Sequence, residues 1–264
     1  MTLFYSRRGA GPPLVLLHGI GHHWRAWEPV LDRLAGHHDV IAVDLPGFGR
    51  SPVSGSFAGM PSLVEALASF FASLGLGRPH VAGNSLGGAL ALELAAAGHV
   101  ASATALSPAG FATSGQLRYA VAVLTAHRLV ARLPGPVVRT VLRSSRLRSV
   151  AFGMLLSRPG RISFERSLAD TAALRDGVAF RAVARASRGY AFSGAPTVPV
   201  TVAWGTRDLI LRYRQAAVAR RGLPLARHVD LPGCGHVPMS DDPDLVADLI
   251  LTTTGALPVS RDGL

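Results

Sequence analysis

Short apolar runs alternate along this chain with longer stretches of helical period, and that alternation limits the possible folds more than any other feature. Runs rich in Val, Leu and Ala at 14–17, 40–43, 80–82, 103–106, 200–203 and 227–231 each end near Gly, Pro, Asp or Ser, where a strand passes into a loop. Between them, residues 24–34, 61–74, 86–97, 213–221 and 243–252 have helical periodicity, with Pro61 and Pro243 suited to first-turn positions. Strands that read as nearly continuous apolar runs are buried on both faces, and helices supply the crossovers between them. The pattern predicts an α/β fold with a mostly parallel, doubly wound sheet, to which residues 3–6 add an edge strand. In such sheets ligands bind beyond the carboxyl ends of the strands, so the loops there are the ones to inspect.

The alternation stops after Ser107-Pro108-Ala109-Gly110 and resumes near Pro196. Helical stretches at 117–132 and 136–147 lie in the gap, broken by Leu133-Pro134-Gly135-Pro136 and Arg158-Pro159-Gly160. We expect one core formed by residues 1–110 and 191–264, with a helical cap inserted at 111–190. Charge sets the same segment apart. Every basic residue of the chain is arginine, and residues 116–190 hold 14 arginines against three acids, Glu165, Asp170 and Asp176, while the rest of the chain holds 13 of each. The net charge of +11 therefore belongs to the cap.

With 264 residues, 48% of them hydrophobic, the chain has ample material for a buried sheet and is not a disordered sequence. No apolar stretch reaches the ~18 residues of a membrane span, and the first residues, Met1-Thr2-Leu3-Phe4-Tyr5-Ser6-Arg7-Arg8, lack the layout of a signal peptide. Cys234 is the only cysteine, which excludes an intramolecular disulfide and cysteine-based zinc clusters. The chain is read as cytoplasmic. No cofactor and no metal site is expected, since no pattern such as H-E-x-x-H occurs, and His22-His23 and His37-His38 are taken as surface or packing residues.

The chemistry is concentrated in three loops. His80-Val81-Ala82-Gly83-Asn84-Ser85-Leu86-Gly87-Gly88 reads as strand, tight turn and helix start, with Gly83-Asn84-Ser85-Leu86-Gly87 fitting a nucleophile elbow. A serine on so sharp a turn needs neighbours without side chains, and the helix that follows points free N–H groups toward developing negative charge. Leu86 N–H is thus one oxyanion donor. A serine hydroxyl also needs a base, and His236, in Pro232-Gly233-Cys234-Gly235-His236-Val237-Pro238 after the last strand, is the best-placed histidine. The base needs an acceptor to fix its tautomer. Asp208 follows the strand after the insertion, while the turn at Ser107-Pro108-Ala109 offers no carboxylate; Asp241, Asp242 and Asp244 suit a cap for the helix near Pro243.

With these motifs the sequence resembles the α/β-hydrolase superfamily, in its cap-bearing esterase, perhydrolase and C–C hydrolase branch. The resemblance covers the chain apart from the cap. It implies that Leu17-His18-Gly19-Ile20-Gly21 is the oxyanion loop, with Ile20 N–H as second donor, and that Asp44-Leu45-Pro46-Gly47-Phe48-Gly49-Arg50-Ser51 is an architectural turn. The chain departs from the family pattern in that a usual first edge strand is expected to be absent. Asn84 before the nucleophile is similar to the C–C hydrolases, but the loop after His18 lacks their Gly-Pro-Gly run.

The expected activity is that of a carboxylesterase acting on a small or medium apolar ester. A cofactor-free perhydrolase or haloperoxidase, or a C–C bond hydrolase, would use the same residues, and a non-catalytic binding protein on this fold is the reading from another class. Trp24, Phe48, Phe111 and Val237, with Trp27 and Met239, stand at loop positions suited to an apolar acyl pocket, although at least half of them belong in the core. Arg139, Arg143 and Arg146 share one helix face. That face is read first as solvated, then as attracted to an anionic membrane surface, then as gripping a substrate carboxylate or phosphate. Nucleic acid is not an expected partner, because the basic segment lacks interleaved aromatics and a binding motif. The sequence does not reveal the oligomeric state.

Overall fold

The structure is a computed structural model that describes residues 2–53 and 59–258. Seven strands form one sheet: β1 (Tyr5–Arg8), β2 (Pro13–Leu17), β3 (Asp39–Val43), β4 (His80–Asn84), β5 (Ser102–Leu106), β6 (Val200–Gly205) and β7 (Arg227–Leu231). Their spatial order is β1-β3-β2-β4-β5-β6-β7, and only β1 runs antiparallel. The edge strand lies two residues later than the sequence pattern suggests. Leu3 is drawn into the core, while Arg7 and Arg8 pair with Asp39 and Asp32 at the sheet edge.

The strands separate two apolar layers by simple alternation. Leu14, Leu16, Val40 and Ala42 face helices α1 (Glu28–Ala35) and α11 (Pro243–Thr254), whereas Val15, Leu17, Ile41 and Val43 face α2 (Met60–Ser73) and α3 (Leu86–Ala96). Fully burying each such side chain stabilises the fold by about 1.5–3 kcal/mol. Helix α3 is apolar except for Glu93, which accepts from Tyr190 OH, and is buried along most of its length, as suits a helix enclosed between the sheet and further elements. Trp24–Trp27 opens as a 3-10 turn before α1, because Pro29 occupies the first turn of α1.

Between β5 and β6 lie α4 (Ser114–Val130), α5 (Gly135–Arg143), α6 (Ser145–Phe152), a 3-10 turn at Pro159–Arg161, α7 (Phe164–Asp176) and α8 (Phe180–Ala186). Helix α4 begins with a reciprocal capping box between Thr113 and Gln116. The single helix expected over 136–147 is two: Ser144 leaves the helical region at ψ 118°, and its hydroxyl accepts the Leu147 N–H to start α6. The last crossover helices are α9 (Gln215–Gly222) and the short α10 (Pro238–Asp241). No described helix is long and apolar enough to cross a membrane.

Register fixes where chemistry can occur. Leu17 lies opposite Gly83, Asn84 opposite Leu106, Leu106 opposite Ala203, and Gly205 opposite Leu231. The loops after β2, β4, β6 and β7 therefore leave the sheet side by side at its carboxyl edge.

Candidate active site

Ser85 sits between β4 and α3 with φ 57° and ψ −111°, a conformation that costs a non-glycine residue roughly 1–3 kcal/mol and persists only when its surroundings enforce it. Here they do. The Ser85 N–H donates to Leu106 O (2.9 Å), and its carbonyl accepts from Ala89 N (3.0 Å) and Ala109 N (3.1 Å). The flanking glycines are needed for space: a Cβ on Gly83 would lie 2.0 Å from Gly87 O, and one on Gly87 would lie 2.1 Å from Leu17 O. The second contact presses the elbow against the loop after β2. Gly19 in that loop passes so close that a Cβ there would be 3.3 Å from the Ser85 Cβ.

His18 holds this loop in place. Buried completely, it donates through Nδ1 to Gly19 O (2.7 Å) and accepts at Nε2 from Leu45 N (2.9 Å), an arrangement that only the neutral ring can make. Burial accordingly lowers its pKa to about 3. Asp44 in the next turn accepts from Trp24 N (2.7 Å) and Arg50 N (2.9 Å), so two consecutive strand ends are locked together.

The structure brings Asp208 and His236 together across the β6 and β7 loops. His236 Nδ1 donates to Asp208 Oδ2 at 2.8 Å, and both residues are buried. The other carboxylate oxygen, Oδ1, accepts the N–H groups of Ile210 (2.8 Å) and Leu211 (2.9 Å), which fixes the orientation of the acid. Asn84 supports the histidine from the other side, its side-chain amide donating to His236 O (2.9 Å) and Leu106 O (3.2 Å). Both of its N–H donors are thus spent on the fold.

Ser85, His236, Ile20 and Val237 line one cavity of about 350 Å³. Leu86 is the first residue of α3, where a backbone N–H has no partner within the helix. Most of the cavity wall comes from the insertion, including Leu124, Val141, Leu142, Leu155 and Leu174. Of the four residues expected to line an acyl pocket, only Val237 does so. Phe48 is core, edge-on to His18; Phe111 is core against Phe192 and Trp204; Trp24 packs below the sheet beside α1. Trp27 and Met239 are core as well.

One further expectation is corrected. Among the three acids near Pro243, Asp242 alone caps α11, accepting from Leu245 N. Asp241 is buried and turns inward instead. It accepts from Gly235 N (2.7 Å), Ser157 N (3.1 Å) and Arg158 N (2.8 Å), which ties the His236 loop to the insertion. Of the two places expected for the His22-His23 pair, surface or packing, the structure has the packed one. His22 lines the cavity, and His23 Nε2 reaches Asp170 of α7 at 3.0 Å. The only sequence signal for this pair was its position immediately after the loop at residues 17–21.

His22, His23 and Asp170 bring three potential metal ligands within 4.8 Å of one another, and hydrogen bonds engage one ring nitrogen of each histidine and the carboxylate. His22 Nδ1 accepts the His23 N–H (3.0 Å), which leaves the ring proton on Nε2, and Arg166 Nε binds Asp170 at 3.1 Å. Burial lowers the His22 pKa to about 4. Burial pushes the Asp170 carboxyl up, but His22, His23 and Arg166 outweigh it and hold that group down at about 2. The cluster is therefore a neutral His22 beside an Arg166–Asp170 ion pair.

An uncharacterized protein of Mycobacterium tuberculosis is 27% identical over 263 residues, 92% of this chain and 75% of that protein. A pimeloyl-acyl-carrier-protein methyl ester esterase of Aeromonas salmonicida is 42% identical over 96 residues, 36% of each chain. Among solved structures, a bacterial membrane phospholipase A matches with a TM-score of 0.75 at 25% identity, over 98% of this chain and 84% of its own. The description of the alpha/beta hydrolase family fits residues 14–249, from the second strand into the last helix, and the chain belongs to that family.

Proposed function

We propose that the protein is a serine hydrolase that cleaves a small or medium apolar ester through an acyl-enzyme on Ser85. The observation that carries this reading is the fixed Asp208–His236 pair, 2.8 Å apart, opening with the strained Ser85 elbow into a single apolar cavity. In the proposed reaction Ser85 Oγ attacks the ester carbonyl and His236 Nε2 takes its proton. The Ile20 and Leu86 N–H groups hold the oxyanion, the alcohol leaves with the proton from His236, and water hydrolyses the acyl-enzyme by the same route. Asp208 keeps the proton of His236 on Nδ1 and stabilises the imidazolium.

The cavity supports an apolar acyl group, because its walls are largely Leu and Val and its volume falls within the ~300–1,000 Å³ of small-molecule sites. Its polar groups are those of the catalytic corner together with His22, His127, Asp170, Thr171 and Ser240. The esterase among the relatives supports the same chemistry. Hydrolysis of p-nitrophenyl esters of increasing chain length tests the proposal. Activity should pass through a maximum with chain length and fall by several orders of magnitude in Ser85→Ala, which should also lose labelling by a fluorophosphonate probe. Undiminished ester hydrolysis by Ser85→Ala would rule out this mechanism.

A further inference from the structure

The chain places most of its exposed large aliphatic side chains in one short segment. Of the eleven such residues described, six fall within 129–150: Leu129, Val130, Leu133, Val137, Leu147 and Val150, with Val150 79% and Leu129 61% exposed. Four of them, Val130, Leu133, Val137 and Val150, also line the cavity, so they form its mouth. Soluble proteins scatter exposed Leu and Val singly; a cluster at the entrance of an apolar cavity marks an interaction site.

The same segment is cationic without counter-charges. From residue 94 to residue 164 the chain has no Asp or Glu and nine arginines. Arg132, Arg139, Arg143 and Arg146 are exposed around the mouth, and among the described residues none of them has a carboxylate within 4 Å. Elsewhere Arg7, Arg8, Arg25, Arg33 and Arg220 form surface salt bridges, while Arg207, Arg214, Arg221 and Arg227 do not; what sets this face apart is that its unpaired arginines lie in an acid-free stretch together with exposed aliphatic side chains.

We infer that the α4–α6 face docks on an anionic lipid bilayer, with its aliphatic side chains at the acyl boundary and its arginines at the phosphates, so that a lipid tail enters the cavity mouth from the membrane. This rests on the esterase reading for the fate of the lipid, but not for the docking. An acidic protein would pair with the arginines and leave the six interleaved aliphatics unexplained; a bilayer accounts for both, since interfacial helices combine buried aliphatics with basic residues at the headgroups. The opening of the apolar mouth on that same face points the same way.

The test measures co-flotation of the whole protein with vesicles of phosphatidylcholine alone and of phosphatidylcholine with phosphatidylglycerol, at low and high salt. Ser85→Ala protein is used so that lipid is not consumed. Binding should need phosphatidylglycerol and weaken as salt rises. The double variant Arg139→Gln/Arg146→Gln should bind about 25-fold more weakly, at roughly fivefold for each arginine near the surface. Leu129→Ser/Leu147→Ser should also reduce binding. Neither pair lines the cavity, so with Ser85 retained, kcat/KM on a soluble short ester should stay at the wild-type value in both. Equal binding to both vesicle types, binding unchanged in the two double variants, or retention by an acidic carrier protein with no vesicle binding would each overturn the inference. A wild-type protein that floats with anionic vesicles but hydrolyses no ester would instead defeat the esterase reading alone.

Discussion

Replacing Asp208 by Asn should leave the fold intact and remove nearly all activity, for a reason written in the hydrogen bonds of that one side chain. Asp208 Oδ1 accepts two backbone N–H groups, from Ile210 and Leu211, while Oδ2 faces His236 Nδ1. An asparagine must keep its oxygen toward the two N–H donors, since the reverse would set its NH2 against both. Its Nδ2 then donates to His236 Nδ1, which forces the ring proton onto Nε2, the atom that has to accept the serine proton. The same substitution in a serine protease triad lowers kcat by about 10⁴, and a similar loss here corresponds to about 5.5 kcal/mol of transition-state stabilisation. The assay is kcat/KM on p-nitrophenyl butyrate, with denaturant unfolding to show that stability is preserved. A variant that keeps more than about a tenth of wild-type activity would refute the role assigned to Asp208 and the tautomer argument with it.

The other expectations concern the frame around the site. Asp241→Asn removes one acceptor oxygen from a buried carboxylate that serves three backbone N–H groups, and with charge-assisted hydrogen bonds worth about 1.5–3 kcal/mol each, unfolding in urea should show a loss of roughly 3 kcal/mol; a change below 1 kcal/mol would contradict the structure. Gly87→Ala places a Cβ against Leu17 O and His18 O and so displaces the loop proposed to hold the oxyanion, which should cut turnover at least a hundredfold, whereas Gly115→Ala, with nothing within 4 Å, should be neutral or stabilising by up to about 1 kcal/mol; equal behaviour of the two would count against the elbow geometry. Acid should destabilise the protein above the carboxylate range. The neutral His18 and His22 have folded pKa values of about 3 and about 4, below the unfolded 6.5, so their contribution is complete above pH 6.5 and is lost as pH falls toward those values. His18 alone should remove about 1.4 kcal/mol per pH unit below 6.5, and urea midpoints that stay flat from pH 7 to pH 4.5 would overturn this reading.

The core of the fold was legible because its signals are local. A strand buried on both faces is an apolar run whatever surrounds it, and Gly83 of the Ser85 elbow is demanded by the backbone of Gly87 four residues on, although Gly87 itself answers to the distant Leu17 O. Six of the seven strands consequently lie where the apolar runs predict them, to within two residues. Where local signals conflict, boundaries move. Arginines at 7 and 8 read as loop until Asp39 and Asp32 are found opposite them, and Ser144 reads as mid-helix until its side chain is seen capping α6.

What the sequence by itself determined about this protein is the alternating sheet, the basic character of the inserted segment and the three loops from which Ser85, Asp208 and His236 arise. The tertiary structure decided which side chains meet. Phe48 and Phe111 look like pocket residues because they follow strands, but tight turns fold them back onto His18 and Trp204, and the insertion supplies the walls instead. Asp241 looks like one of three equivalent helix caps, yet its partners Ser157 and Arg158 lie more than 80 residues away. His22 and His23 likewise meet Asp170 only because α7 packs over the loop after β2. Such contacts depend on how separate elements pack, and periodicity along the chain has no term for a partner that distant in sequence.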